Sequence, residues 1–155
     1  MKKALLSLLF ALTLLAYGAA GADPVDDDPA AAQRDPDFAN GKKAIEAKDW
    51  NAAIKSLNSA ALRDTKNADI QNYLGYAYRN AGQMDMAFKR YKRALQLSPR
   101  HRGAHEYVGE AYLMVNNLAK AEEHLAALQK ICLIPCEEYD DLRKKIAEYR
   151  KKSGG

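Results

Sequence analysis

From residue 34 onward the sequence repeats itself with a period of 34 residues. Small residues and large apolar residues both recur at this step, in five aligned columns: Gly41, Gly75 and Gly109; Ala53, Ala87 and Ala121; Leu57, Tyr91 and Leu125; Ala60, Ala94 and Leu128; Ala44, Tyr78 and Tyr112. A fixed period of this length indicates a repeat architecture built from one helix–turn–helix unit. Because one unit cannot bury its apolar face alone, we expect the units to stack into an α-solenoid.

Turn signals divide each unit into two helices. Asp35-Pro36 places a capping side chain before a proline suited to a first helical turn. Ser98-Pro99 predicts a helix end, because the residue before proline is biased out of the helical region. The sequence predicts helices near residues 36–47, 50–64, 68–81, 84–97, 101–115 and 118–131.

A further amphipathic helix is predicted near residues 136–151. Its apolar residues, spaced by three, four and three, form one helical stripe, and the opposite face is charged. They are Tyr139, Leu142, Ile146 and Tyr149. A single helix in this place is expected to cap the open end of the solenoid. The predicted fold class is therefore all-α, with repeats at 34–67, 68–101 and 102–135 and a capping helix at 136–152, together forming one domain over 36–152.

The middle unit resembles a tetratricopeptide repeat. That pattern runs Leu-Gly, Tyr, Ala, an aromatic residue, Ala and a closing Pro, which are here Leu74, Gly75, Tyr78, Ala87, Tyr91, Ala94 and Pro99. The third unit matches at Val108, Gly109, Tyr112, Ala121, Leu125 and Leu128, and the first unit matches more weakly. The resemblance covers residues 34–152. It implies a helical solenoid whose first helices line a concave face where partners dock.

The repeat register selects the candidate site on that concave face. The inward positions outside the core are Phe38, Lys42, Asn72, Tyr76, Arg79, Asn80, Glu106, Glu110 and Met114. Tyrosine and arginine are common among the residues that dominate binding energy at interfaces. We therefore expect a protein or peptide partner in this groove, with another copy of the chain as a second candidate. One subgroup of the family clamps a peptide carboxylate with Lys, Asn and Arg, but the corresponding residues are Phe38, Lys42, Tyr73, Gly103 and Tyr107, so that function is not expected.

The first 22 residues have the three-part pattern of a secretory signal peptide. Lys2 and Lys3 precede an apolar run over residues 4–17, and Ala20-Gly21-Ala22 supplies a cleavage site. We expect cleavage after Ala22 and a periplasmic or secreted protein with no membrane span once it is cut. An uncleaved anchor is the alternative, although the run is short for a span of about 20 residues. Residues 23–35 are predicted to be a flexible acidic leader.

Charge and motifs narrow the function classes. Without residues 1–22 the chain has 22 basic and 20 acidic residues, so the formal net charge falls from +4 to +2. Such a small excess does not indicate a nucleic-acid partner. The sequence contains no phosphate-binding glycine loop, HExxH motif or nucleophile elbow. We therefore predict no catalytic residues, no cofactor and no metal ligands.

The two cysteines, Cys132 and Cys136, flank Leu-Ile-Pro at the corner before the capping helix. In an exported chain such a pair predicts a structural disulfide that fastens this helix. A redox-active pair and a metal-bound or free-thiol state are the alternatives. These cysteines also support a second hypothesis, a metal- or redox-responsive periplasmic protein that uses the nearby soft and imidazole ligands His101, His105, Met84 and Met86.

Overall fold

The structure, a computed structural model, describes residues 35–154, and this part of the chain is built from seven α-helices. They are α1 (Pro36–Glu46), α2 (Trp50–Arg63), α3 (Ala68–Asn80), α4 (Met84–Leu97), α5 (Arg102–Met114), α6 (Leu118–Ile131) and α7 (Glu137–Lys152). Each bound lies within one residue of its predicted position, and the predicted all-α fold class is confirmed. The predicted signal peptide and residues 23–34 of the predicted leader lie outside the described residues.

Side chains cap the helices at the positions that the turn signals indicate. Asp35 accepts hydrogen bonds from the backbone N–H groups of Asp37 and Phe38, at 2.8 and 3.1 Å. Asn67 and Asn117 cap α3 and α6 in the same way. Such caps satisfy backbone donors that have no partner within the helix. The caps therefore set where these helices begin.

The turn inside each unit repeats with the same 34-residue step. Lys48, Gly82 and Asn116 have φ angles of 57°, 76° and 57°. This left-handed conformation costs a side chain little at asparagine and nothing at glycine, and it is unusual for lysine. The turns thus share one backbone geometry although their residues differ.

The two helices of each unit pack as a hairpin, and the hairpins stack in chain order. A glycine on the first helix allows the close approach. A Cβ atom on Gly75 would lie 2.5 Å from the ring of Tyr91, and one on Gly41 would lie 2.6 Å from Leu57. Both large side chains are fully buried. The glycine column of the sequence is therefore the place where each hairpin closes.

The last helix, α7, completes the core of the third unit. Leu142 and Ile146 are buried in one cluster with Leu113 of α5 and with Ala121 and Leu128 of α6. A Cβ atom on Gly109 would lie 2.6 Å from Leu142. Leu142 thus occupies the space that the glycine of the third unit leaves open, as expected for a capping helix.

A disulfide joins Cys132, the residue that ends α6, to Cys136, the residue before α7. Their Cα atoms are 5.9 Å apart. The bridge closes the corner that the sequence predicts between the third unit and the cap. Leu133 and Ile134 lie between the two cysteines and are exposed. Within residues 35–154, every helix is too short or too polar to cross a membrane.

We expect Leu142→Ala to lower the free energy of unfolding by about 2–5 kcal/mol, because it removes a fully buried side chain and leaves a cavity. Leu133→Ala is the matched control. Leu133 is 96% exposed, so the same truncation there should change stability by less than about 0.5 kcal/mol. Urea denaturation followed by circular dichroism measures both, and equal losses would contradict the assigned role of Leu142.

The disulfide should stabilise the cap more than the repeats. We expect the double variant Cys132→Ser/Cys136→Ser to lose about 2 kcal/mol, the amount predicted for a short closed loop. Amide hydrogen exchange should accelerate in residues 137–152 and stay unchanged in α1–α4. Reduction of the wild-type protein should reproduce this pattern. Uniform acceleration throughout the repeats would show that the bridge supports the whole solenoid.

Candidate binding groove

Aromatic rings form a row across the inner side of the repeats. The ring of Tyr76 on α3 lies at the middle of the row. Its centroid is 4.9 Å from that of Tyr107 on α5 and 6.2 Å from that of Trp50 on α2. All three side chains are half-buried, so each ring has one side held by the protein and another open. Such rings are rigid, amphipathic contact surfaces.

A buried arginine fixes the centre of this row. Arg79 is only 6% exposed, and its Nη1 lies 2.8 Å from Oε2 of Glu110 and donates to the carbonyl oxygen of Tyr107 at 2.9 Å. The guanidinium also lies 5.0 Å from the ring centroid of Tyr76 and 5.5 Å from that of Tyr107. Arg79 therefore ties α3 to α5 and orients two of the rings.

The other residues predicted to line the groove have different environments. Phe38 and Asn72 are buried, and Lys42 holds its Nζ 5.1 Å from the ring centroid of Phe38. Asn80 is exposed and donates to the carbonyl oxygen of Tyr76 at 2.8 Å. Met114 is exposed beyond the end of α5. Surface available to a partner is thus concentrated at Tyr76, Asn80 and Met114, while Phe38 and Arg79 support it from below.

Two cavities lie in the groove, one at each end of the helices. The first, of about 340 Å³, lies where α3, α5 and α7 begin and is lined by Asp69, Asn72, Tyr73, His101, Gly103, Glu106, Tyr107, Glu137, Glu138 and Asp141. The second, of about 330 Å³, lies where the same helices end and is lined by Arg79, Asn80, Glu110, Leu113, Met114, Lys145, Glu148, Tyr149 and Lys152. We call the first one the acidic cavity. The capping helix α7 therefore forms one wall of the groove.

The carboxylates of the acidic cavity perturb one another. Burial raises the pKa of Glu106 to about 8, and the nearby charges of Glu110, Asp141 and Glu138 act in the same direction. Only Arg79 opposes them. By contrast, the hydrogen bond from His101 holds the pKa of Asp69 below its ordinary value. At neutral pH the side chain of Glu106 is largely protonated.

The sequence register alone missed several groove residues. Tyr73 and Tyr107 are 34 residues apart and occupy the same repeat position, so the periodicity contained a signal for both. Trp50 reaches the row from the second helix of its unit, and Glu137 and Asp141 reach the acidic cavity from the cap. Their positions depend on contacts between helices, which a repeat register does not give.

The histidines considered as metal ligands are engaged elsewhere. His101 caps α5 through Nδ1, which accepts from the N–H of Ala104 at 3.1 Å, and its Nε2 lies 2.9 Å from Asp69. His105 places Nδ1 2.9 Å from Nδ1 of His124 and Nε2 3.1 Å from the carbonyl oxygen of Pro99. Burial and His105 lower the pKa of His124 to about 4. Among residues 35–154, no group of three or more His, Cys, Asp and Glu side chains is arranged to hold a metal ion.

Comparison with known proteins bears on this architecture. A sequence model described as Tetratricopeptide repeat matches residues 68–101, the residues of the second unit. This is a tetratricopeptide repeat protein. Human Protein O-mannosyl-transferase TMTC3 is 29% identical over 93 residues, which are 59% of this chain and 10% of that protein. The mouse protein is 28% identical over the same lengths. The chain thus spans about a tenth of the length of these relatives.

Solved tetratricopeptide repeat structures share the fold. The type III secretion translocator chaperone SycD of Yersinia enterocolitica has a TM-score of 0.67 at 17% identity, covering 77% of this chain and 84% of that one. The TPR2B domain of yeast Sti1, in a structure described as its pHsp70 complex, has a TM-score of 0.67 at 21% identity, with 77% and 98% covered. SycD in complex with a peptide of the translocator YopD has a TM-score of 0.65 at 17% identity, with 77% and 91% covered. At these identities the likeness establishes the helical-repeat fold.

The raised pKa of Glu106 predicts a stability that falls as the pH rises. The folded state, with a pKa of about 8, binds more protons than the unfolded state, with the ordinary 4.5. Stability should therefore decrease across pH 4.5–8. Glu106→Gln should match the wild type at pH 4 and exceed it at pH 9 by roughly 1–2 kcal/mol, an amount reduced for the solvent that reaches this half-buried group.

Thermal unfolding at pH 4, 6, 7.5 and 9 measures this effect. Glu148→Gln removes an exposed carboxylate seven residues after Asp141 on α7 and provides the control, with no comparable gain at high pH. A constant difference between Glu106→Gln and wild type at every pH would contradict the burial effect.

Proposed function

We propose that this protein is an exported, non-enzymatic interaction module that binds an extended peptide segment of a partner protein in its groove. The observation that carries this proposal is the row of half-buried rings at Trp50, Tyr76 and Tyr107, which is contributed by three different helices. Aromatic side chains fixed before binding offer large contact area with little loss of conformational entropy. Their fixed geometry favours a binding surface over a purely structural one.

Arg79 adds to this argument. A buried cation is costly unless it is paired and hydrogen-bonded, and Glu110 and the carbonyl oxygen of Tyr107 meet both needs. The arrangement keeps Tyr76 and Tyr107 in place without occupying their open sides. The groove is thus organised in advance of any partner.

The shared fold gives further support. The similar structures of yeast Sti1 and Yersinia SycD are described with a pHsp70 partner and with a peptide of YopD, respectively. Another SycD structure is described as an alternative dimer, so self-association is a second candidate use of this architecture. The identity of the partner in this chain is set by its own groove, whose residues differ from the basic carboxylate clamp described above.

Export to a bacterial periplasm, or secretion, forms the second part of the proposal. It rests on the basic start, apolar run and small-residue cleavage site of residues 1–22. The disulfide between Cys132 and Cys136 is consistent with an oxidising compartment. Mass spectrometry of the protein from a periplasmic extract tests this part, with a mature start at Asp23 as the expected result.

Binding to defined peptides tests the groove. Peptides selected from a displayed random library should bind the wild type, and Tyr76→Ala or Tyr107→Ala should weaken the tightest of them about tenfold or more, the loss typical of a binding hot spot. Fluorescence anisotropy with the labelled peptides measures the affinities.

Phe88→Ala is the matched control, because this half-buried ring lies on α4 and lines a different surface. Its affinity should stay within about twofold of the wild type, since it loses no groove contact. Circular dichroism must show that each variant remains folded. Selected peptides that bind the Tyr76 and Tyr107 variants as tightly as the wild type would refute the groove assignment.

A further inference from the structure

The acidic cavity collects carboxylates from three helices. They are Asp69 of α3, Glu106 of α5, and Glu137, Glu138 and Asp141 of α7. Asp69 is bonded to His101, and Glu138 lies 3.4 Å from Arg102. Within residues 35–154, no cation lies within ion-pair distance of the other three. The cavity thus has an excess of negative charge that the described part of the chain does not neutralise.

Helix ends explain only part of this charge. A carboxylate in the first turn of a helix is stabilised by the backbone dipoles, and this applies to Asp69, Glu137 and Glu138. Glu106 and Asp141 are each the fifth residue of their helices, beyond the first turn where that effect is strong. Both nevertheless line the cavity. Their placement needs another reason.

A buried amide in the same cavity supplies an independent indication. Asn72 lines the cavity with only 4% of the residue exposed. Its Oδ1 accepts no hydrogen bond from any residue in the described range. A buried acceptor without a donor costs about 1–3 kcal/mol, so a ligand that brings an N–H group would relieve it. Gly103 leaves room beside this amide, because a Cβ atom there would lie 3.3 Å from Asn72 Nδ2.

The arrangement fits an extended cation better than a metal ion. In the described residues, no three acidic, histidine or cysteine side chains converge as a metal site would require. The rings of Tyr73 and Tyr107 also line the cavity, and aromatic faces attract organic cations. A guanidinium group is planar, carries five N–H donors and stacks on such rings.

We propose that the acidic cavity binds a basic side chain, foremost arginine, of the peptide that occupies the groove. This inference rests on the proposed function and specifies its ligand. The carboxylates of Glu106 and Asp141 receive the guanidinium from opposite helices, and Asn72 accepts one of its N–H groups. Tyr107 contributes to both the cavity and the aromatic row, so an arginine seated here places the adjoining peptide backbone along the rings.

Small-molecule titration tests the cavity directly. The probe is Nα-acetyl-L-argininamide, and the comparison is Nα-acetyl-L-citrullinamide, which has the same shape but no charge. In ¹H–¹⁵N correlation spectra of the purified protein at pH 8.5, argininamide should shift the amides of Asn72, Gly103 and Glu106 in a saturable manner. Citrullinamide should leave them unchanged at equal concentration.

Charge-removing variants assign the effect to named carboxylates. Glu106→Gln and Asp141→Asn should each weaken argininamide binding about tenfold, as expected for the loss of a charge-assisted hydrogen bond. Glu148→Gln, on the same helix α7 and in the second cavity, should leave the affinity unchanged. Equal shifts with citrullinamide, no saturable shift with argininamide, or full affinity in both variants would overturn the proposal.

Peptides separate this inference from the proposed function. Peptides that bind the groove should contain arginine or lysine at a fixed position, and replacing arginine by citrulline should weaken them about tenfold. Groove-binding peptides without such a residue would overturn the inference and leave the proposed function intact. If argininamide binds while no peptide does, the proposed function fails instead. A dimer that dissociates upon addition of argininamide would show that the occupant is a basic side chain of a second copy, which overturns the assignment to a partner peptide.

Discussion

The fold depends on one close contact, a helix backbone meeting a large side chain without an intervening Cβ atom. Gly75 meets Tyr91 and Gly41 meets Leu57 in this way. The contact lets the two helices of a hairpin approach closely and bury the large side chain completely, which favours folding through the area removed from water. In the third unit the same contact is made from outside the hairpin, by Leu142 of the cap. The capping helix is therefore joined to the repeats by the interaction that closes them.

Much of this architecture could be predicted from the sequence, because a repeat states its rule several times. The helix bounds followed from periodicity and caps, both of which are local. The left-handed turn residues Lys48, Gly82 and Asn116 share the same step, yet only the glycine announced that conformation. The inner positions of α3 and α5 also followed from register, and Tyr73 with Tyr107 could have been added from the same 34-residue step.

The chemistry of the groove could not be read in the same way. Register places Arg79 on the inner face, but its burial depends on Glu110 and Tyr107 of the next unit. The acids of α7 read as the solvated face of a cap, whereas Glu137 and Asp141 line a cavity against α3 and α5. In both cases the outcome is set by contacts between residues about 30 or more positions apart. A repeat pattern specifies which face a residue occupies and leaves open which charges meet there.

The position of α7 has a thermodynamic consequence. This helix covers the core of the third unit through Leu142 and Ile146, and it carries three of the five carboxylates of the acidic cavity. Fraying at the end of the chain would therefore dismantle a binding site, and a ligand held only by the docked helix would oppose that fraying by mass action. Occupancy of the groove and local order of the last helix are then two readings of a single equilibrium. Terminal helices of repeat proteins are commonly regarded as covers, and here the cover sets how much of the protein must be ordered before it can bind.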